Sequence, residues 1–230
     1  CDANAQSPPG STAASACECN AGYSGANGGV CTTCAAGSYK DAKGAGSCAS
    51  CAAGTYQDGQ GSSACTACPA NTNSAGGAAT LTECQCNAGY TGSGGNTCSQ
   101  CAAGSYKTAL GNNACTLCPV GKYSADVGAT TDTCLSCDSN SATTSEGGSQ
   151  KTDCLCNAGY TGPNGGPCAA CSAGSYKTAV GSASCTLCGA GKYLSTTGAT
   201  AEASCVTCPS NSHSPAGSTS ISQCVCNAGY

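Results

Sequence analysis

The sequence predicts a small disulfide-rich repeat array: an elongated rod of short β-hairpins and loops, with almost no helix and no conventional hydrophobic core. Three observations lead to this fold class. The 230 residues include 27 Cys. They include only seven Leu, six Val and one Ile, and Phe, Trp, Met and Arg are absent. The cysteines also follow one another on a schedule that recurs along the whole chain.

The shortage of large apolar side chains would normally indicate a disordered chain. The cysteine content indicates a different solution, in which disulfide bridges take the place of the missing core. Because disulfides persist in oxidising compartments, we expect an extracellular location, either secreted or at the cell surface.

The cysteine schedule alternates one Cys-x-Cys pair with three Cys-x-x-Cys pairs. This pattern predicts a partial repeat of the fourth loop type at 1–18, three repeats at 19–85, 86–155 and 156–225, and the start of another at 226–230. We expect a fragment of a longer chain. Arrays with such a period are quasi-one-dimensional, so each unit should contact mainly its neighbours.

Each repeat contains four loops between cysteines, and three of these loops carry a tyrosine one or two residues after a glycine. We expect these glycines to allow either a positive φ or a close approach of the backbone, and we expect a ladder in which each tyrosine packs on a neighbouring disulfide. The fourth loop has asparagine in place of tyrosine, at Asn71, Asn140 and Asn211. The ladder residues are Tyr23, Tyr39, Tyr56, Tyr90, Tyr106, Tyr123, Tyr160, Tyr176, Tyr193 and Tyr230.

Cysteine spacing favours a scheme in which each loop closes on itself, and an interlocked pairing between loops is the alternative. Cys226 has no partner in this scheme, because its partner would lie beyond residue 230. The predicted pairs are Cys1 with Cys17, Cys19 with Cys31, Cys34 with Cys48, Cys51 with Cys65, Cys68 with Cys84, Cys86 with Cys98, Cys101 with Cys115, Cys118 with Cys134, Cys137 with Cys154, Cys156 with Cys168, Cys171 with Cys185, Cys188 with Cys205 and Cys208 with Cys224.

Other chemistry finds little support in the residues. The Cys-x-x-Cys spacing approaches that of zinc ribbons, but one metal per module would be needed, so we expect no metal and no cofactor. The single histidine, His213, lies in a polar loop without a partner for nucleophilic catalysis, so we expect no enzyme. A net charge of −4 without arginine argues against nucleic-acid binding, and no segment is apolar enough to span a membrane.

Serine and threonine make up a quarter of the chain and suit O-linked sugar on exposed loops. The best candidates are Ser7, Pro8 and Pro9, together with Ser214 and Pro215. The alternative is that these residues only form turns.

Two motifs resemble known families. The run Cys86-Asn-Ala-Gly-Tyr-Thr-Gly92 up to Cys98 resembles the C-terminal half of an epidermal-growth-factor-like module, which implies that Cys86 pairs with Cys98. The run Cys115-Thr-Leu-Cys-Pro-Val-Gly-Lys-Tyr-Ser124 is similar to ephrin-receptor-like and tumour-necrosis-factor-receptor-like Cys-rich repeats. The fourth loops, such as 208–224, resemble ephrin-receptor-like repeats of large surface proteins from algae and other protists. The chain as a whole also resembles the protist proteins with growth-factor-like arrays that form mastigonemes, the hairs on flagella.

These observations predict an extracellular structural protein that associates with itself, or with other structural proteins, into a filament or surface appendage. The alternative is a non-enzymatic stalk of a receptor or adhesin. A third hypothesis is ice or carbohydrate binding through Ser and Thr faces. Five aliphatic residues beside the cysteine pairs could supply contacts within the rod or with another copy: Leu117, Leu135, Leu155, Leu187 and Val225.

Overall fold

The computed structural model describes residues 1–230 and contains 26 two-residue strands, all paired antiparallel in 13 hairpins. It contains no α-helix. The chain forms two compact units: unit 1 is Cys1–Cys101, Lys107–Cys115 and Gly128–Thr131, and unit 2 is Ala102–Tyr106, Thr116–Val127 and Asp132–Tyr230. The predicted disulfide-rich array of short hairpins with almost no helix is therefore confirmed.

The strands are distributed over the two units in chain order. Unit 1 contains β1 (Ala5–Gln6), β2 (Glu18–Cys19), β3 (Tyr23–Ser24), β4 (Thr32–Thr33), β5 (Ser38–Tyr39), β6 (Ala49–Ser50), β7 (Thr55–Tyr56), β8 (Thr66–Ala67), β9 (Thr72–Asn73), β10 (Gln85–Cys86), β11 (Tyr90–Thr91) and β12 (Ser99–Gln100). Unit 2 contains β13 (Ser105–Tyr106), β14 (Thr116–Leu117), β15 (Lys122–Tyr123), β16 (Leu135–Ser136), β17 (Ser141–Ala142), β18 (Leu155–Cys156), β19 (Tyr160–Thr161), β20 (Ala169–Ala170), β21 (Ser175–Tyr176), β22 (Thr186–Leu187), β23 (Lys192–Tyr193), β24 (Val206–Thr207), β25 (Ser212–His213) and β26 (Val225–Cys226).

Five single-turn 3-10 helices each lead directly into the closing cysteine of a long loop. They are Ala14–Ala16, Leu81–Glu83, Lys151–Asp153, Glu202–Ser204 and Ile221–Gln223. None of their residues is buried, so these turns complete loops of 16 or 17 residues and contribute no core. No helix of the protein has the length and apolarity needed to cross a lipid bilayer.

Every hairpin is built in the same way. The two residues after the turn of a loop form one strand. This strand pairs with a dipeptide at the next cysteine pair, as β13 does with β14, where Tyr106 lies opposite Thr116. A Cys-x-x-Cys pair leaves only two residues for the second strand, and at a Cys-x-Cys pair that strand is the intervening residue and the second cysteine, as in β10 (Gln85–Cys86). Local turn chemistry and loop closure therefore define the hairpins, since two residues per strand give little ladder energy.

Thirteen loops are each closed by one disulfide between their two cysteines. The paired cysteines are 12 to 17 residues apart in the sequence. These bridges are the pairs of the nearest-loop scheme. Cys226 is free and exposed. In the chain-entropy account, closing a loop of this size contributes about 3 kcal/mol of stability.

The interior consists largely of these bridges. The buried apolar residues are almost all Cys and Ala, and Leu194 is the one large aliphatic side chain among them. Eleven of the fourteen Leu, Val and Ile residues are exposed instead. The absence of a conventional hydrophobic core, as predicted from composition, is confirmed.

The glycine before each tyrosine has the predicted positive φ, for example 81° at Gly104 and 82° at Gly121. The fourth loops correct one expectation. Asn71, Asn140 and Asn211 have φ values of 61°, 62° and 60°, so each asparagine occupies the position of the turn glycine and not that of the tyrosine. After glycine, asparagine is among the residues that adopt this left-handed backbone conformation most readily.

Turn glycines of the first and second loops also serve a close approach of the backbone within one repeat. A Cβ atom built on Gly104, in the second loop of its repeat, would lie 2.3 Å from the carbonyl oxygen of Gly147, in the fourth loop. Gly89 has the same relation to Gly128, at 2.4 Å, and so does Gly159 to Gly198, at 2.3 Å. Glycine is therefore required where the turn of one loop approaches the backbone two loops further on.

We predict that Gly104→Ala destabilises the protein more than Gly121→Ala. Both glycines have nearly the same φ, so alanine costs about 1–2 kcal/mol at either position. Only at Gly104 does the new methyl group meet a carbonyl, since a Cβ on Gly121 has nothing within 4 Å. The clash should cost about 1–3 kcal/mol more. Native-state amide hydrogen exchange measures both variants, and equal losses would contradict the role of the close approach.

Candidate functional site

Three lysines carry the only buried charges of the chain. Lys40, Lys107 and Lys177 each follow the tyrosine of a second loop, and they are 8%, 7% and 4% exposed. We call these ammonium groups and their carbonyl acceptors the lysine cages. Their recurrence at the same position of every repeat indicates a structural role.

The ammonium of each cage donates to the carbonyls of two loops. Lys107 Nζ donates to the carbonyl oxygen of Tyr90 at 2.7 Å, to that of Cys86 at 3.4 Å, and to that of Gly111. Tyr90 and Cys86 belong to the first loop of the repeat, and Gly111 belongs to the lysine's own loop. The side chain therefore links the two loops through their backbones.

The other two cages repeat this arrangement. Lys40 donates to Tyr23 at 2.8 Å and to Gly44, and Lys177 donates to Tyr160 at 2.6 Å and to Gly181. Burial lowers the pKa of Lys107 and of Lys177, because desolvation disfavours the charged amine. The carbonyl acceptors offset that penalty, as a buried ammonium requires.

The caged lysines also join loops through their main chains. The carbonyl of Lys107 accepts from Gly89 N at 2.8 Å, and its own N–H donates to Ala129 O at 3.0 Å. One residue thus hydrogen-bonds to the loop before it and the loop after it. The sequence analysis did not predict these buried lysines, because it considered only the net charge of the chain. The available signal was the recurrence of Ser-Tyr-Lys at 38–40, 105–107 and 175–177.

The tyrosines other than Tyr230 are half-buried, and Tyr230 is exposed. Tyr23 packs on the buried cluster that contains Cys19 and Cys31, the disulfide of its own loop. Tyr176 packs on a cluster formed by Cys188, Leu194 and Cys205, which belongs to the next loop. These two contacts agree with packing on disulfides, and a ladder through all ten tyrosines stays a prediction.

The candidate glycosylation positions differ in accessibility. Ser7, Pro8, Pro9 and Pro215 are exposed. Ser214 is fully buried, and its hydroxyl donates to the carbonyl of Lys192 at 2.9 Å. The expectation for Ser214 is therefore corrected, because the folded chain does not present this hydroxyl to a modifying enzyme.

His213 is exposed on β25, in the strand position that tyrosine holds in the other loops. Its strand partner is Val225, which is also exposed. No three His, Cys, Asp or Glu side chains are grouped so that they could hold a metal ion.

Shallow grooves lie beside three Cys-x-Cys pairs, where a fourth loop ends. One, of about 390 Å³, is lined by residues 143–145, 147–148, 152–153, 155 and 164. A groove of about 200 Å³ at Ala75, Glu83, Gln85 and Leu110 occupies the equivalent position one repeat earlier. A third, of about 330 Å³, is lined by residues 6–9, Glu18 and Lys43. Grooves are thus present at these joints between repeats, and their lining differs from repeat to repeat.

We predict that Lys107→Met lowers the free energy of unfolding by about 1–3 kcal/mol, because buried carbonyls lose a charged donor. Lys122→Met is the matched control: Lys122 Nζ makes no hydrogen bond, so its loss should cost under about 0.5 kcal/mol. Denaturant unfolding of the oxidised variants measures both. Equal stability of the two variants would contradict the role of the cages.

Comparison with known families supports the repeat. The family model described as "Tyrosine-protein kinase ephrin type A/B receptor-like" matches residues 42–86, 89–133 and 159–205. No curated protein matches the chain in sequence. Together the three matched segments cover more than half of the chain, and they include the caged Lys107 and Lys177. The chain therefore belongs to the ephrin type A/B receptor-like family of Cys-rich repeats.

Proposed function

We propose that this chain is a structural segment of an extracellular protein, and that its repeats associate with copies of themselves in a filament or surface appendage. The disulfides and the family membership support an extracellular, receptor-like segment. Self-association is the further step, and one observation carries it: most of the large aliphatic side chains are exposed while cystine fills the interior.

The exposed aliphatic residues include four on the strands between cysteines. Leu117 and Leu187 end the dipeptides of β14 and β22, and Leu135 and Val206 begin those of β16 and β24. All four are at least half exposed. Leu135 lies opposite Tyr123, and Val206 lies opposite Tyr193. These two aliphatic side chains therefore each share a hairpin face with an aromatic ring.

Exposure of aliphatic side chains to water is unfavourable, and this chain has few of them. Full burial of one such side chain in an interface stabilises that interface by about 1.5–3 kcal/mol. Charge does not oppose association strongly, because only 8% of the residues are charged. These features support lateral or end-to-end packing of copies.

A receptor or adhesin stalk is the second candidate. The family model takes its description from receptors, and in a stalk the cages and disulfides would serve only to stiffen the segment. A stalk remains monomeric, whereas a filament subunit associates. Oligomeric state therefore separates the two functions.

We further propose that the Ser7 hydroxyl carries O-linked sugar, and that Pro8, Pro9 and Pro215 carry it after a prolyl hydroxylase has used O₂ to place a hydroxyl on each ring. These four residues are accessible and lie in proline-containing turns. The intact mass of the native protein should then exceed that of the sequence less two hydrogens for each of the thirteen bridges, and peptides containing 7–9 or 215 should carry the excess. A native mass equal to the bridged sequence would remove this part of the proposal.

We predict that the variant Leu117→Ser, Leu135→Thr, Leu187→Ser, Val206→Thr weakens self-association about tenfold or more, because four apolar contacts are lost. The first repeat already holds Ser50 and Thr66 at the equivalent positions, so the fold accepts these residues. Analytical ultracentrifugation and electron microscopy of the oxidised chain provide the measurement.

The control variant changes the neighbouring exposed residues of the same strands: Thr116→Ala, Ser136→Ala, Thr186→Ala and Thr207→Ala. The first repeat has Ala49 and Ala67 at these positions. This variant should associate like the original chain. A monomeric original chain at all concentrations would favour the stalk and reject self-association.

A further inference from the structure

We propose that the groove at the joint between the second and third repeats binds a neutral hexose unit of a saccharide. The groove lies within unit 2 and has a volume of about 390 Å³, within the range of small-ligand sites. This proposal goes beyond self-association and does not depend on it.

Free hydrogen-bonding groups converge on this groove. The hydroxyls of Thr144, Ser145 and Thr152 and the amide of Asn164 line it and make no hydrogen bond within the protein. Thr143 is buried at the base, where its hydroxyl oxygen accepts from Gly121 N at 2.9 Å and its own proton remains available.

Asp153 supplies the one carboxylate of the lining. Its Oδ2 atom accepts from the N–H and hydroxyl of Ser149 and from the N–H of Gln150, at 2.7, 3.1 and 3.1 Å. These bonds, led by the one from Ser149 N, lower the pKa of Asp153 and hold the carboxylate in place. Oδ1 is left as an acceptor for a ligand hydroxyl.

The composition of the lining selects the ligand class. A lone carboxylate does not make a cation site, and no group of metal-binding side chains exists. No lysine lines the groove, so an anion has no counter-charge. Leu155 is the single large apolar side chain, too little for an apolar ligand but enough for the C–H face of a sugar ring. Several hydroxyls, an amide, one carboxylate and one aliphatic surface suit a neutral polyhydroxylated ring.

The chain contains its own comparison. At the equivalent joint of the first repeat, Ala75 replaces Thr144 and Gly94 replaces Asn164, and the groove is about half as large. The variant Thr144→Ala, Asn164→Gly therefore removes two polar groups while it introduces residues that this fold already accepts.

The test is a titration of the ¹⁵N-labelled, oxidised 230-residue chain with methyl α-D-mannopyranoside, methyl β-D-galactopyranoside and methyl β-D-glucopyranoside. We expect saturable amide shifts at residues 144, 152 and 164 with at least one glycoside, and a Kd on the order of 1 mM. The amide of Gln85, at the first joint, should not move.

The double variant should bind at least about tenfold more weakly, with the rest of its spectrum unchanged. Absence of saturable shifts with all three glycosides in the original chain would overturn the proposal, whatever the variant does. Equal affinity in the variant would also overturn it, because the hydroxyl and amide groups would then not be the binding groups.

Discussion

Disulfide closure of each loop is the constraint on which the rest of this structure depends. A loop of 12 to 17 residues is too short to form a core, and closure removes much of the freedom that folding would otherwise have to overcome. Cystine then occupies the interior, so the few aliphatic side chains are not needed there. Eleven of them lie on the surface, where they are available to a partner.

Closed loops still have to be joined, and polar backbone contacts perform this task. The main chain of Lys107 hydrogen-bonds to the preceding and following loops, while its ammonium binds carbonyls of the first loop and of its own turn. Turn glycines such as Gly104 allow a second contact, two loops away. Disulfides thus determine each loop, and glycines with caged lysines determine how successive loops stack.

The joint between repeats interrupts this pattern and varies from repeat to repeat. There a Cys-x-Cys pair replaces Cys-x-x-Cys, and the turn glycine of the third loop, such as Gly121, meets no backbone. Grooves open at this position, and their linings change between repeats from Glu83 and Gln85 to Asp153 and Leu155. Recurring loops with variable joints thus place different side chains in the grooves along one chain.

Much of this arrangement was predictable from the sequence, because it is local. Cysteine spacing indicates which residues close each loop, glycine before tyrosine indicates a left-handed turn, and composition excludes an aliphatic core. The asparagine of the fourth loop was assigned to the tyrosine position, two residues after its true place, because only the backbone φ of Asn71 identifies it as the turn residue. Tertiary structure alone decided the burial of Lys107 and of Ser214 and the approach of Gly104 to Gly147. These contacts join residues 17 to 43 positions apart, so they depend on how closed loops stack, which no local pattern encodes.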